Sequence, residues 1–170
     1  YRYYHSYWGI QAVLHKSILV PTAERDAVIE LHLFKELFRK PRALVYNSVE
    51  ERDMIQALSG NGHIPGEVVG VGTEVPETYS ESAFRRTFGL EDDYLIYIGR
   101  IDQNKGCPEL FDFFLRFKRE TGSGIRLVLV GSSVIKIPQH PDIVFLGYLP
   151  EEDKFAALQG AQVLCMPSFY

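Results

Sequence analysis

Two cations stand five positions apart in a loop bounded by glycines, Gly99-Arg100-Ile101-Asp102-Gln103-Asn104-Lys105-Gly106. Arginine grips two oxygens of a phosphate at once, and lysine adds a compact point charge. Glycine lets a backbone come close to a ligand. This set of residue types suits a diphosphate. Asp102 lies between the cations, where its carboxylate would repel such an anion. It reads instead as orienting Arg100 or capping the next helix. No second acidic residue has a spacing that would make Asp102 a metal ligand.

Such a loop needs elements to hold it. Tyr94-Leu-Ile-Tyr-Ile98 before it is a continuous apolar run of strand length. After it, Cys107 to about Arg119 reads as an amphipathic helix with Leu110, Phe113, Phe114 and Phe117 as its apolar stripe. A buried strand followed by a loop and a helix puts the loop amides at the carboxyl edge of a parallel sheet. The positive end of the helix dipole lies beside them.

The same alternation recurs on both sides. Downstream, Ile125–Val130 reads as a strand closed by Gly131, and Ser132-Ser133 then stand at a strand end that lines the crevice. Ile143–Leu146 is the next strand and turns at Gly147-Tyr148-Leu149. Glu151, Glu152 and Asp153 open a helix that Gly160 ends, and Val163–Met166 is a last strand. Upstream, Ile18–Val20 precedes a helix capped by Thr22, with Val28, Leu31, Phe34 and Phe38 at helical spacing, stopped by Pro41. Ala43–Tyr46 is a strand. Ser48 and Glu51 form a capping box for a helix carrying Met54, Ile55 and Leu58, and Val68–Val71 is a third strand. Residues 72–82 lack periodicity and mark a domain boundary. Ser80 caps a short helix with Phe84 and Phe88 on one face and Gly89 at its end. Two βα series imply an α/β protein with two parallel sheets and right-handed crossovers.

The composition bounds the chemistry. The 170 residues carry a net charge of −4, which excludes a broad nucleic-acid footprint while leaving room for a local anion site. Cys107 and Cys165 are the two cysteines, without metal-ligand spacing, and read as reduced thiols of a cytoplasmic protein, free in solution or at the membrane surface. No stretch has the length and apolarity of a transmembrane span or the form of a signal peptide. The five histidines are scattered, and none pairs with a serine or cysteine as a nucleophile. Tyr1, Tyr3, Tyr4, Tyr7 and Trp8 form an aromatic cluster that could stack a sugar but reads rather as core or as a cut surface, core being favoured.

The pattern Gly99-Arg100-Ile101-Asp102-x-x-Lys105-Gly106 after an apolar strand resembles the retaining, GT-B-type glycosyltransferases of the group 1 family. So do Val128-Leu-Val-Gly131, Ile143-Val-Phe-Leu-Gly-Tyr-Leu149, Glu151–Leu158 and Ala161-x-Val163-x-x-x-Pro167-Ser168-x-Tyr170, in that order. The resemblance implies two Rossmann-like parallel-sheet lobes, both incomplete in this chain. Residues 1–72 would be the C-terminal part of the N-terminal, acceptor-side domain. Residues 73–170 would be the linker and the first part of the nucleotide-sugar-binding domain. It implies transfer of a sugar from a nucleotide-diphosphate donor to a glycan, lipid or small-molecule acceptor, with retention of configuration. Arg100 and Lys105 would be the catalytic cations that stabilise the diphosphate leaving group, and neither a metal nor another cofactor is expected. Gly99, Gly106, Gly131, Gly147, Tyr148 and Leu149 would contact the nucleotide. Gly147 would allow close approach of the base, and Tyr148 or Leu149 would pack on its ring. The family's Glu-x₇-Glu motif would follow Tyr170 and its glycine-rich N-terminal loop would precede Tyr1, so residues 1–170 alone are expected not to turn over. The alternatives are a sugar-nucleotide epimerase or phosphorylase of the same architecture, and a non-catalytic nucleotide-binding module.

Overall fold

The computed structural model describes residues 1–168, so the last two positions of the Pro167-Ser168-x-Tyr170 pattern lie outside the described residues. The chain packs as two compact units that divide in sequence between Thr73 and Glu74.

The first unit is built on a parallel sheet of β1 (Ile18–Leu19), β2 (Ala43–Tyr46) and β3 (Gly66–Val68), in the order β1-β2-β3. Helices α1 (Tyr4–Ala12), α2 (His32–Leu37) and α3 (Val49–Ser59) accompany it. Ile29, Phe34, Leu37, Phe38, Leu44, Tyr46 and Ile55 are its buried core. The Ser48 hydroxyl accepts the Glu51 N–H at 3.1 Å, the forward half of a capping box. The return half is absent. The buried Glu51 carboxylate instead accepts from the backbone N–H of Asn47 at 2.6 Å and of Ala23, tying the loop after β1 to the start of α3.

Three expectations are corrected in this unit. Residues 22–31 are not helical. Thr22 has φ +48° and caps nothing, and the Asp26 carboxylate accepts from the N–H groups of Val28 and Ile29. A short acidic side chain that bonds its own backbone offers an alternative to helix, so the helix is confined to α2. β3 starts at Gly66 and ends at Val68, and Val69 and Val71 are exposed. Gly66 pairs with Leu44 beneath the Tyr46 ring, where a Cβ would lie 2.8 Å from Tyr46 Cε2. Close approach of an aromatic therefore decided this strand, not β-branched character. Of the aromatic cluster, Tyr1 packs edge-on against Phe34 with centroids 5.0 Å apart and Tyr7 is half-buried, while Tyr3, Tyr4 and Trp8 are exposed.

The second unit has α4 (Glu81–Phe88), β4 (Tyr94–Ile98), α5 (Cys107–Thr121), β5 (Arg126–Val130), β6 (Ile143–Gly147), α6 (Glu151–Gly160) and β7 (Val163–Leu164). All strands are parallel in the order β6-β5-β4-β7, and β4 and β5 pair from Tyr94↔Arg126 to Ile98↔Val130. The order runs outward from β4 through β5 and β6, then returns to place β7 on the other side of β4. This is the topology that opens a crevice at the carboxyl ends of the central strands. Alternation along β4 and β5 serves two cores. Tyr94, Ile96, Val128 and Val130 pack with Phe84, Leu149, Ala156 and Ala157 on one face. Tyr97, Leu127 and Leu129 pack with Cys107, Phe111 and Phe114 on the other.

The face that α5 buries differs from the expected stripe. Cys107, Phe111 and Phe114 are buried, whereas Phe113 and Phe117 are exposed. Positions i, i+4 and i+7 from the first helical residue meet the sheet, and four phenylalanines on one helix admit a second stripe that only packing can reject. β7 is also shorter than the apolar run Val163–Met166, although the Cys165 N–H still donates to the Ile96 carbonyl at 2.7 Å.

Candidate functional site

Three strand ends meet through their glycines. A Cβ on Gly131, at the end of β5, would lie 2.0 Å from the Gly99 carbonyl oxygen, at the end of β4. The Gly99 N–H donates to Val130 O at 2.9 Å, Ile101 N–H to Ser132 O at 2.8 Å, and Gly131 N–H to Gly147 O at 2.7 Å. Gly99 and Gly131 have φ +152° and +127°, conformations that only glycine adopts without strain. Backbone thus forms the floor where the loops leave the sheet.

The cation loop is pinned from three sides. The buried Tyr97 donates its hydroxyl to the Arg100 carbonyl at 2.8 Å. Burial and the neighbouring Cys107 push the Tyr97 phenol well above its usual range, so it stays a donor. Asp102, 5% exposed, accepts from Arg100 Nε at 2.5 Å and from the Lys105 N–H at 2.8 Å. At Gly106, the N-cap of α5 with φ +69°, a Cβ would lie 2.3 Å from the Pro167 carbonyl oxygen. The Arg100 side chain remains 59% exposed, and Lys105 is half-buried.

Asp102 has the orienting role, and its titration follows from that role. Burial raises its pKa, but the Arg100 hydrogen bond, the Lys105 N–H and the two positive charges outweigh burial and hold it below the usual carboxylate value. A carboxylate with a depressed folded pKa stabilises the fold above its unfolded pKa, and this contribution is lost as pH falls through the folded value. Asp102→Asn should therefore be less stable than wild type at neutral pH. The gap should close on acidification below the ordinary aspartate range. Urea midpoints of both proteins across the acid range check this, and a gap independent of pH would show that the charge does not matter.

A cleft of about 240 Å³ opens above the glycine floor, lined by Ile98, Gly99, Arg100, Val130, Gly131, Ser132, Tyr148 and Lys154. Gly99, Arg100, Gly131 and Tyr148 thus come together, with Ser132 beside them. Lys105 and Gly106 belong to the same loop but not to the cleft wall. Gly147 has φ +69° and no atom within 4 Å of a Cβ position, so its surroundings are open. The two candidates for packing on a base part company. Tyr148 is 78% exposed, whereas the Leu149 side chain is buried against Phe84 and Ala156 and can offer only backbone.

Sequence reasoning assigned no role to Lys154, whose ammonium lies 4.6 Å from the Tyr148 ring centroid and 2.5 Å from Glu151 Oε1. A signal existed: it is a cation early in a helix whose first turn is otherwise acidic. Among the described residues no group of three or more His, Cys, Asp and Glu side chains is arranged to hold a metal ion. None of the described helices is long and apolar enough to cross a membrane.

The two parallel sheets and the cleft at the carboxyl edge of β4 and β5 define a protein of the GT-B glycosyltransferase fold. The structure of Anabaena Alr3699/HepE in complex with UDP superposes with a TM-score of 0.74 at 12% identity, over 97% of this chain and 50% of that one. HepE in complex with UDP and glucose gives 0.72 at 12% identity, over 94% and 48%. The chain therefore spans about half the length of these relatives. The family model for glycosyl transferases group 1 matches residues 92–170. No curated protein sequence matches the chain.

Proposed function

We propose that this chain supplies the donor-nucleotide site of a glycosyltransferase that moves a sugar from a nucleotide-diphosphate donor to an acceptor with retention of configuration. The observation that carries this reading is the cleft itself. It sits at the carboxyl edge of β4 and β5, lined by Arg100 and the exposed Tyr148 among others, within the segment that matches the family model. In this reading Arg100 and Lys105 bind the diphosphate and stabilise it as it leaves, so no metal ion is required. The N-terminus of α5 adds the positive end of its dipole to the same anion. Tyr148 stacks the base, and Gly147 lets it approach the turn. UDP held by the HepE structures supports a nucleotide sugar as donor. Residues 1–72 would serve the acceptor side. The free thiols Cys107 and Cys165 support a reducing, cytoplasmic setting.

The test is calorimetric titration of the purified protein with UDP, GDP and ADP, with and without EDTA. At least one should bind, and the chelator should leave its affinity unchanged. Binding of none would remove the reading, and binding only with a divalent ion would remove its metal-free form. Retention is read from the anomeric proton coupling of the product made by the whole enzyme. Epimerisation of the nucleotide sugar without any acceptor would favour the epimerase alternative instead.

A further inference from the structure

Tyr97 carries a hydroxyl into a place built from apolar side chains. It is 2% exposed and packs with Cys107, Phe111, Phe114, Leu127 and Leu129 on the α5 face of the sheet. Phenylalanine would fill the same space, and a buried hydroxyl is costly unless it is paired. This one is paired with the cation loop, to the Arg100 carbonyl at 2.8 Å. Tyr97 itself is not among the residues that line the cleft.

The atoms that this bond holds give it a use. Gly99 enters the loop at φ +152°, a region open to glycine, so the chain before Arg100 has little torsional restraint of its own. Its direction has to come from hydrogen bonds. The peptide joining Arg100 to Ile101 is gripped at both polar atoms, its C=O by Tyr97 and its N–H by the Ser132 carbonyl at 2.8 Å. A peptide unit is planar, so grips on its two edges fix its rotation, and with it the direction in which the Arg100 side chain leaves the backbone. At the far end Asp102 takes Nε at 2.5 Å, which leaves the Nη1 and Nη2 donors for an anion. Arg100 is thus held at its carbonyl and at its head, while its side chain stays 59% exposed at the cleft. A free arginine has much rotamer freedom to lose when it grips an anion, and ordering it beforehand reduces that cost.

We propose that Tyr97 is a positioning residue for the diphosphate: its hydroxyl sets the Arg100 peptide so that the guanidinium meets the anion. This step rests on the nucleotide reading above. Tyr97 acts through Arg100 and touches no ligand.

The experiment is a double-mutant cycle of wild type, Tyr97→Phe, Arg100→Ala and the double variant, read by calorimetry with UDP, GDP and ADP. Phenylalanine keeps the ring and its packing and deletes the hydroxyl alone. Tyr97→Phe should weaken the nucleotides that bind by about three- to ten-fold, the value of one hydrogen bond. In the Arg100→Ala background the same change should have no effect, because no guanidinium is left to position. A hydroxyl that served folding alone would not show this dependence. Gly122→Ala, strained at the opposite end of α5, is the control and should lower the urea midpoint while leaving affinity unchanged. Wild-type affinity in Tyr97→Phe overturns the proposal. Equal losses with and without Arg100 also overturn it, since Tyr97 would then act on the fold as a whole. Weakening by Gly122→Ala as large as that by Tyr97→Phe overturns it too, as an effect of lost stability. If no nucleotide binds the wild type, the nucleotide reading itself fails and this inference with it.

Discussion

Gly131→Ala should cost a large share of the stability of the second unit and weaken its ligand binding. The added Cβ would sit 2.0 Å from the Gly99 carbonyl oxygen and 2.8 Å from its carbon, both backbone atoms that cannot swing aside. The residue would also hold φ +127°, outside the range of a side-chain-bearing residue. Overpacking of roughly 1–3 kcal/mol and strain of about the same size add to roughly 2–6 kcal/mol. Against a domain stability of about 5–15 kcal/mol, that is a large share of the total. Gly122→Ala is the matched control. That residue also has positive φ, +64°, but no atom lies within 4 Å of its Cβ position, so only the left-handed cost of about 1–2 kcal/mol applies. Urea unfolding of the two variants gives the comparison. A Gly131→Ala midpoint no lower than that of Gly122→Ala would mean the strand ends do not touch as described.

Arg100→Ala and Lys105→Ala should each weaken nucleoside diphosphate binding about ten- to a hundred-fold, the roughly 1.5–3 kcal/mol of a charge-assisted contact. The two cations are differently prepared. Arg100 is already paired to Asp102 at 2.5 Å, so the anion shares its charge with a carboxylate. Lys105 makes no ion pair among the described residues, and its backbone N–H is fixed by Asp102. Lys105→Ala should therefore leave stability within about 0.5 kcal/mol of wild type, as surface changes do. Raising salt should weaken wild-type binding more than that of either variant, because each variant has lost an ionic contact. Calorimetry at two salt concentrations, beside urea midpoints, separates the effects. If both variants bind as tightly as wild type, these residues only solvate the surface.

Local chemistry makes much of the chain legible from its residues alone. β4 spans the apolar run Tyr94–Ile98, and α5 starts at Cys107, directly after the loop glycine. Ser48 and Ser80 cap α3 and α4, and Gly60 and Gly89 end them in left-handed geometry. These signals work because a cap, a breaker or a strand-length apolar run acts on neighbours within a few residues. Reading Asp102 as the partner of Arg100 succeeded for the same reason, since both lie within one short loop.

Only tertiary structure decided the rest. The sequence of α5 offers more phenylalanines than one face can bury, and contact with β4 and β5 selected Phe111 and Phe114 over Phe113 and Phe117. The helical spacing of residues 22–31 lost to the Asp26 carboxylate and to Glu51, a side chain from α3 that holds the loop backbone. Leu149 and Tyr148 are adjacent in sequence, yet one enters the core and the other faces solvent, because the chain turns out of β6 at Gly147, with φ +69°, and Leu149 then packs against Phe84 and Ala156. Gly131 needs to be glycine because Gly99 is there, and Lys154 lines the cleft because α6 starts at the edge where β6 ends. Pairing of parallel strands brings together loops distant in the chain, and a periodicity read along the chain holds no record of that meeting.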